Sequence, residues 1–186
     1  MLYYVGQGIG IVATVFSILM PILKKKTHML INTIVVNILM ALNFVLIGQI
    51  GSAACLCMVA VAQSFVSLYH EKKGNKINVA EIIIFLILYV TCGFAGIMLA
   101  PGFVMEISYR NILELLPIAG SIMCMTFVFV EDEQKARKLL LATALIWTVY
   151  TALVGSSTIF AQLFTVVTTC VSLYKYRKRP KYNNAE

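Results

Sequence analysis

The residues of this chain that could do chemistry are polar side chains set inside long apolar stretches. Asn37 lies at the middle of one such stretch, and Asn32 and Asn43, three helical turns apart, share one face of the same helix. In a later stretch Thr143, Trp147 and Tyr150 follow an i, i+4, i+7 stripe, again one helix face. Gln63 and Thr168 sit in two further stretches. Polar groups in hydrocarbon are costly and tend to mark pathways. Asn37, Asn43, Gln63, Trp147, Tyr150 and Thr168 together offer amides, hydroxyls and an aromatic face, a set suited to binding a small, polar, uncharged molecule. The same amides can instead tie helices together, since interhelical hydrogen bonds contribute about 0.6–2 kcal/mol each. Both readings stand for each amide, while satisfying helix backbone is the commoner role for the threonines and Tyr150. Trp147 is unusual in lying well inside its stretch, because tryptophan favours the membrane interface.

Acid–base chemistry has no such seat. Glu81 and Glu114 fall near the ends of apolar stretches, Glu131, Asp132 and Glu133 belong to a loop, and His28 and His70 lie beside clusters of lysine. There is no His–carboxylate pairing, metal-ligand cluster or nucleophile with an evident base, so neither an enzyme nor a cofactor or metal site is expected. With no carboxylate at mid-membrane, uniport is favoured over proton coupling. Cys55, Cys57, Cys92, Cys124 and Cys170 all fall in apolar stretches, where cysteine behaves as a small buried hydrophobe. Gly6-x-Gly8-x-Gly10 lacks the preceding strand and the spacing of a nucleotide loop, and Gly6 and Gly10 read instead as a small-residue face for close helix approach. Pro117 sits in the first turns of its helix, where the missing donor costs little, and Pro21 either kinks the first helix or marks its end.

The elements that must position these groups follow from composition. Of 186 residues, 60% are hydrophobic and 12% charged, and the apolar ones fall into seven runs near 2–23, 28–48, 51–69, 78–100, 113–130, 139–155 and 157–174. Each is close to the roughly 20 residues that cross a bilayer, which leaves no room for a soluble domain. Every Lys and Arg except Arg110 follows the first, third, fifth or seventh run, on one side of the membrane. Short basic loops stay in the cytoplasm, so the N-terminus is expected outside and the C-terminus inside. This distribution accounts for the net charge of +7 without nucleic acid, and anionic lipid head groups are the expected neighbours. The first run lacks a cationic leader and a small-residue cleavage site, so it reads as a retained helix.

An internal repeat organises the runs. Val66-Ser67-Leu68-Tyr69 ends the third and Val171-Ser172-Leu173-Tyr174 the seventh; Gly48 closes the second as Gly155 closes the sixth; Gly10 and Gly120 sit in the first and fifth. The expected fold is therefore an all-α polytopic membrane protein: a three-helix unit at 1–73, a linker helix at 74–102 and a second unit at 103–186. Parity makes the two units parallel repeats about an axis along the membrane normal. This pattern resembles the SWEET and PQ-loop transporter architecture. Through Gln7-Gly8-Ile9-Gly10, through Glu114-Leu115-Leu116-Pro117-Ile118 with Gly120 behind it, and through helix ends at Gly48 and Gly155, the chain resembles more closely the YgjV family of bacterial inner-membrane proteins. The resemblance implies an inner-membrane location and, by architecture, a solute carrier. Two departures matter. Pro21 is followed by Ile22, so the PQ dipeptide is absent, and Gln63 and Thr168 stand where the sugar carriers place asparagine, which argues against a sugar.

The leading expectation is thus a carrier of a small neutral polar solute, working by alternating access of two three-helix bundles. The alternative is a non-transporting membrane protein that binds lipid or a partner subunit. A carrier needs a hydrated space between the first, second, fifth and sixth helices, which a structural protein would fill with Leu, Ile and Met. A chain holding both units can complete a pathway alone, which leaves a homo-oligomer open.

Overall fold

Apolar runs and their capping residues account for the seven helices of the computed structural model, which describes residues 1–19, 26–75, 77–100, 109–127 and 133–176. They are α1 (Leu2–Leu19), α2 (Lys26–Leu46), α3 (Ser52–Lys73), α4 (Val79–Leu99), α5 (Tyr109–Phe127), α6 (Glu133–Val154) and α7 (Ile159–Tyr176). Five of them, α1 to α4 and α6, are long and apolar enough to cross a membrane, while α5 and α7 carry shorter apolar stretches at Asn111–Met125 and Ile159–Lys175. Pro21, the loop at 101–108, Glu131, Asp132 and the basic tail beyond Tyr176 lie outside the described residues.

Several helices overrun their apolar stretches. α3 continues past Tyr69 to Lys73, α5 begins at Tyr109 and α6 at Glu133. Glu, Gln, Lys and Arg are good helix formers, so a helix seeded in hydrocarbon propagates through them into water. Termination needs a different signal. Gly48 and Gly155, at φ +81° and +71°, end α2 and α6 in the left-handed conformation that a side chain disfavours. Both ends close with one bonding pattern: Gln49 N–H donates to Phe44 O (2.8 Å), and Ser156 N–H to Thr151 O (3.0 Å). α4 starts with a capping box, in which Asn78 accepts from Ala80 N–H and Glu81 accepts from Asn78 N–H at 2.9 Å. The other Glu81 oxygen meets His70 Nε2 at 2.9 Å, a His–carboxylate pairing that the sequence did not lead one to expect, because it forms only when the α3–α4 turn brings the end of α3 to the start of α4.

Among the described residues, the packed helix pairs trace a ring: α1 on α2, α2 on α3, α3 on α5, α5 on α6, α6 on α7 and α7 on α1. α4 lies outside it, packed on α3 and α5. One core joins α1, α2, α3, α6 and α7 around Ala13, Met40, Phe44, Ala53 and Tyr150. A second joins α3, α4 and α5 around Leu56, Phe85, Tyr89 and Ile118. The outward face of α4 exposes Ile83, Ile84, Ile87, Phe94 and Met98. In water each square ångström of that surface would cost about 25 cal/mol, whereas lipid tails solvate it freely. The α2–α3 and α6–α7 turns share one end of the ring, here the turn end. Lys72, Lys73, Lys135, Lys138 and Lys175 belong to the other, basic end.

Candidate functional site

At the turn end, two side chains reach across from one helix to cap another. Gln7 of α1 spans to the α6–α7 turn: its Nε2 donates to Gly155 O and its Oε1 accepts from Ser157 N–H, both at 2.7 Å. Ser157 Oγ returns a bond to Gln7 O at 2.8 Å. Close approach is needed here, since a Cβ on Gly10 would lie 2.1 Å from Ser157 Oγ and 2.8 Å from Asn43 Nδ2. The small face of Gly6 and Gly10 thus serves the contact its spacing suggests.

Asn43 of α2 completes this clamp. Fully buried, it donates from Nδ2 to Gly6 O (2.8 Å) and accepts at Oδ1 from Ser156 Oγ (2.6 Å). Because Ser156 spends its only hydroxyl proton on Asn43, Thr158 Oγ1 must donate in the 2.8 Å Ser156–Thr158 contact. One amide therefore holds α1, α2 and the α6–α7 turn together.

The second clamp centres on Glu114 of α5, which is 2% exposed. α3 begins after Gly51, which has no side chain to cap the exposed N–H groups. Glu114 caps it from the neighbouring helix. Its Oε2 accepts from Ser52 N–H at 2.7 Å, and Ser52 Oγ lies 2.5 Å from Oε2 and 2.7 Å from Glu114 O. Tyr150 of α6 donates its hydroxyl to Oε1 at 3.4 Å. A carboxylate at a helix N-terminus is favoured by both the unpaired N–H groups and the helix dipole. The fit is tight: a Cβ on Gly51 would stand 2.6 Å from Oε2, and one on Gly96 of α4 would stand 2.6 Å from Ser52 Cα.

Between the clamps, three aromatic rings join α2 to α6. Phe44 meets Trp147 at 6.4 Å and Tyr150 at 5.9 Å between centroids, and Trp147 stands edge-on to Tyr150 at 6.0 Å. Phe44 and Tyr150 are both fully buried. Trp147 fits because α5 offers Gly120, where a Cβ would fall 2.9 Å from the indole Nε1.

Toward the basic end, the same helix faces turn polar. Thr33 and Asn37 share the face of α2 that carries Met40 and Phe44, and both are half-buried. Thr143, on the Trp147–Tyr150 stripe, is 5% exposed, and its hydroxyl has no partner among the described residues. On α5, Cys124 lies on the arc that also carries the buried Pro117 and Ser121, yet it exposes surface.

Of the six candidate residues, Asn43, Trp147 and Tyr150 come together around Phe44. Asn37 lies on the same face of α2 farther toward the basic end, and its Nδ2 donates to Thr33 O within its own helix. Gln63 faces α4, where it accepts from Tyr89 OH at 2.6 Å. Thr168 returns its hydroxyl to Phe164 O and Thr165 O on α7. Asn32 donates to Phe16 O at 3.0 Å, so the shared face of Asn32 and Asn43 is the seam with α1. Gln7, Ser52, Glu114, Ser156 and Ser157 were not among the candidates. Placing the fifth span at residue 113 made Glu114 terminal, whereas the helix starts at Tyr109 and carries it more than a turn inside.

Seven helices, a lipid-facing apolar exterior and an interior with hydrogen-bonded polar groups define an integral, multi-pass membrane protein. Residues 4–181 match the Imp-YgjV family of bacterial inner membrane proteins, and the chain belongs to that family. Its place is the bacterial inner membrane, embedded in lipid. No curated protein and no solved structure matches it.

Proposed function

We infer that this protein is a carrier, not an enzyme, and that it moves a small neutral polar solute by rocking two three-helix units, 1–73 and 103–186, against each other about the linker helix at 74–102. The N-terminus is outside and the C-terminus inside, so the turn end faces out. In this reading all seven helices span, the two short ones being covered by their neighbours.

One observation carries the reading: the hydrogen bonds that join the two units gather at the turn end. Gln7 and Asn43 of the first unit hold the α6–α7 turn of the second, and Glu114 of the second holds the start of α3 in the first. Toward the basic end Asn32 donates to Phe16 O within the first unit, Arg137 donates to Ser172 O within the second, and His70 meets Glu81 of the linker helix. A pair of bundles tied to each other at one end fits one of the two states that alternating access requires. The matching closures at Gly48 and Gly155 support treating the units as copies. Apart from Glu114, the polar groups described on the interior faces of α2 and α6 are uncharged, as a neutral solute requires. Glu114 is occupied as a cap at the turn end, which keeps uniport the simpler mechanism.

A reversible lock tests this. In a background without native cysteines, Gln7→Cys with Ser157→Cys places two thiols across the seam where Gln7 and Ser157 now bond to each other at 2.7 and 2.8 Å, and oxidation should cross-link them. Proteoliposomes would be assayed by stopped-flow light scattering for entry of neutral solutes such as glycerol, ribose, urea and acetamide. Entry should stop on oxidation and return on reduction. Entry unaffected by the lock refutes alternating access, and no entry of any solute points to the non-transporting protein that binds lipid or a partner subunit.

A further inference from the structure

Gln63, a candidate ligand by sequence, is spent on the linker helix, and it makes one of three ties between α3 and α4. At the basic end His70 Nε2 meets Glu81 Oε1 at 2.9 Å. At mid-depth Tyr89 OH donates to Gln63 Oε1 at 2.6 Å, each residue standing at the middle of its helix. At the turn end the backbones themselves come together, since a Cβ on Gly96 would lie 2.6 Å from Ser52 Cα. Glu81, Phe85, Tyr89, Gly93 and Gly96 follow helical spacing, so all three ties lie along one face of α4.

α4 meets α5 in a different way. Among the described residues no hydrogen bond joins these two helices. Their seam is apolar: Ile118 fills the notch at Gly93, where a Cβ would lie 2.6 Å from Ile118 Cγ1, and Met125 shares a core with Phe85. A bilayer treats the two seams unequally. An apolar contact that parts is replaced by lipid tails at little cost, because no hydrophobic force holds helices together there. A hydrogen bond at mid-depth has no water to take its place, and a bare hydroxyl or amide in hydrocarbon is costly. The bond from Ser52 to Glu114 escapes this constraint. Ser52 is the first residue of α3, at the turn end, where water can take over when that end opens. Of the bonds that α3 makes to its neighbours, the one to Glu114 can be exchanged and the one to Tyr89 cannot.

We propose that the linker helix belongs mechanically to the first unit: α1 to α4 move as one body, α5 to α7 as the other, and the Gly93–Ile118 contact lies on the seam that slides. This deepens the carrier reading and rests on it. It makes the moving bodies unequal, four helices against three, and it gives Gln63 the role of a tie to Tyr89 in place of a contact to solute.

Double electron–electron resonance between spin labels tests this, on paired cysteines introduced into a background without native ones, in lipid nanodiscs. The labelled positions are exposed: Lys73 on α3, Val79 and Met98 on α4, and Lys138 on α6. Gln7→Ala with Glu114→Gln loosens both clamps. It should shift the Lys73–Lys138 and Val79–Lys138 distances together and leave Lys73–Met98 unchanged. A shift in Lys73–Met98, or a Val79–Lys138 distance that stays put while Lys73–Lys138 moves, overturns the proposal and leaves the rocking intact. No shift in Lys73–Lys138 removes the rocking and this assignment together. A second variant, with the clamps untouched, bears on the ties alone. Gln63→Leu with His70→Ala should broaden the Lys73–Met98 distance distribution, because it removes both side-chain bonds between α3 and α4. A distribution as narrow as that of wild type would show that these bonds do not hold α4, and the proposal falls whatever the units do.

Discussion

Glu114 offers the sharpest test of how the ring is held together. Replacing it with alanine strips the N-terminus of α3 of the side-chain cap that Gly51 cannot supply and leaves Ser52 N–H, which donates to it at 2.7 Å, buried against Gly96 without a partner. Loss of a cap costs about 1 kcal/mol, a stranded buried donor about 1–3 kcal/mol, and these overlap in one group. With the small void left by the side chain, Glu114→Ala should cost about 2–4 kcal/mol. Glutamine keeps one oxygen to accept from Ser52 and loses mainly the charge–dipole attraction, so Glu114→Gln should cost about 0.5–1 kcal/mol. For a chain of this size 1 kcal/mol shifts the midpoint by roughly 2–4 °C, which predicts a fall of about 5–15 °C for alanine and a few degrees for glutamine.

Thermal unfolding in detergent, followed by thiol exposure at the buried Cys57, reads this directly. A double-mutant cycle with Ser52→Ala isolates the Ser52 Oγ–Glu114 Oε2 contact, the one of their three contacts that joins the two side chains, and should return a coupling of about 0.5–1.5 kcal/mol. Equal losses for alanine and glutamine would show that charge, not hydrogen bonding, carries the clamp. An unchanged midpoint for alanine would refute the capping argument altogether.

Other perturbations separate neighbouring residues of similar type. Gly10→Ala must displace Ser157 Oγ, 2.1 Å from the new carbon, and should cost about 1–3 kcal/mol; Gly8→Ala meets nothing within 4 Å and should raise helix stability by up to about 1 kcal/mol, both by thermal melt. Asn43→Ala strands Gly6 O and Ser156 Oγ and should cost about 2–4 kcal/mol, whereas Asn37→Ala, losing a bond within its own helix, should cost under about 1 kcal/mol in the same melt. Phe44→Ala removes a fully buried ring, should cost about 3–5 kcal/mol, and should shift Trp147 emission to the red as water reaches the indole; an unshifted spectrum would place Trp147 against other groups.

Hydropathy made the helices legible because a bilayer asks little more of a segment than length and apolarity. It located all seven but not their ends, since α3, α5 and α6 run on through Lys, Arg, Glu and Gln where no membrane is present. That error hid Glu114, whose role depends on being more than a turn inside α5. Gln7 was hidden for another reason. Its partners Gly155 and Ser157 lie across a seam between helices far apart in sequence, and periodicity records which face of a helix is buried without recording against what. Tyr150 and Asn43 were legible as buried polar groups, but that Tyr150 serves a carboxyl and Asn43 a turn follows only from packing.

The two clamps explain why α1 carries an amide and α5 a carboxyl at their cross-seam positions. Gln7 faces one acceptor, Gly155 O, and one donor, Ser157 N–H, so its side chain must offer both functions. Glu114 faces Ser52 N–H and the Tyr150 hydroxyl, donors on both of its oxygens, and a carboxyl can accept from them all. The difference originates in the turns. The α6–α7 turn turns a carbonyl toward α1, because Gly155 in its left-handed conformation rotates that peptide, whereas α3 presents its first N–H to α5. Glutamate at position 7 would set an oxygen against Gly155 O with no proton between them, and glutamine at 114 would turn an N–H toward the tyrosine hydroxyl. The two clamps differ in side chain because each answers the polarity of the backbone it meets.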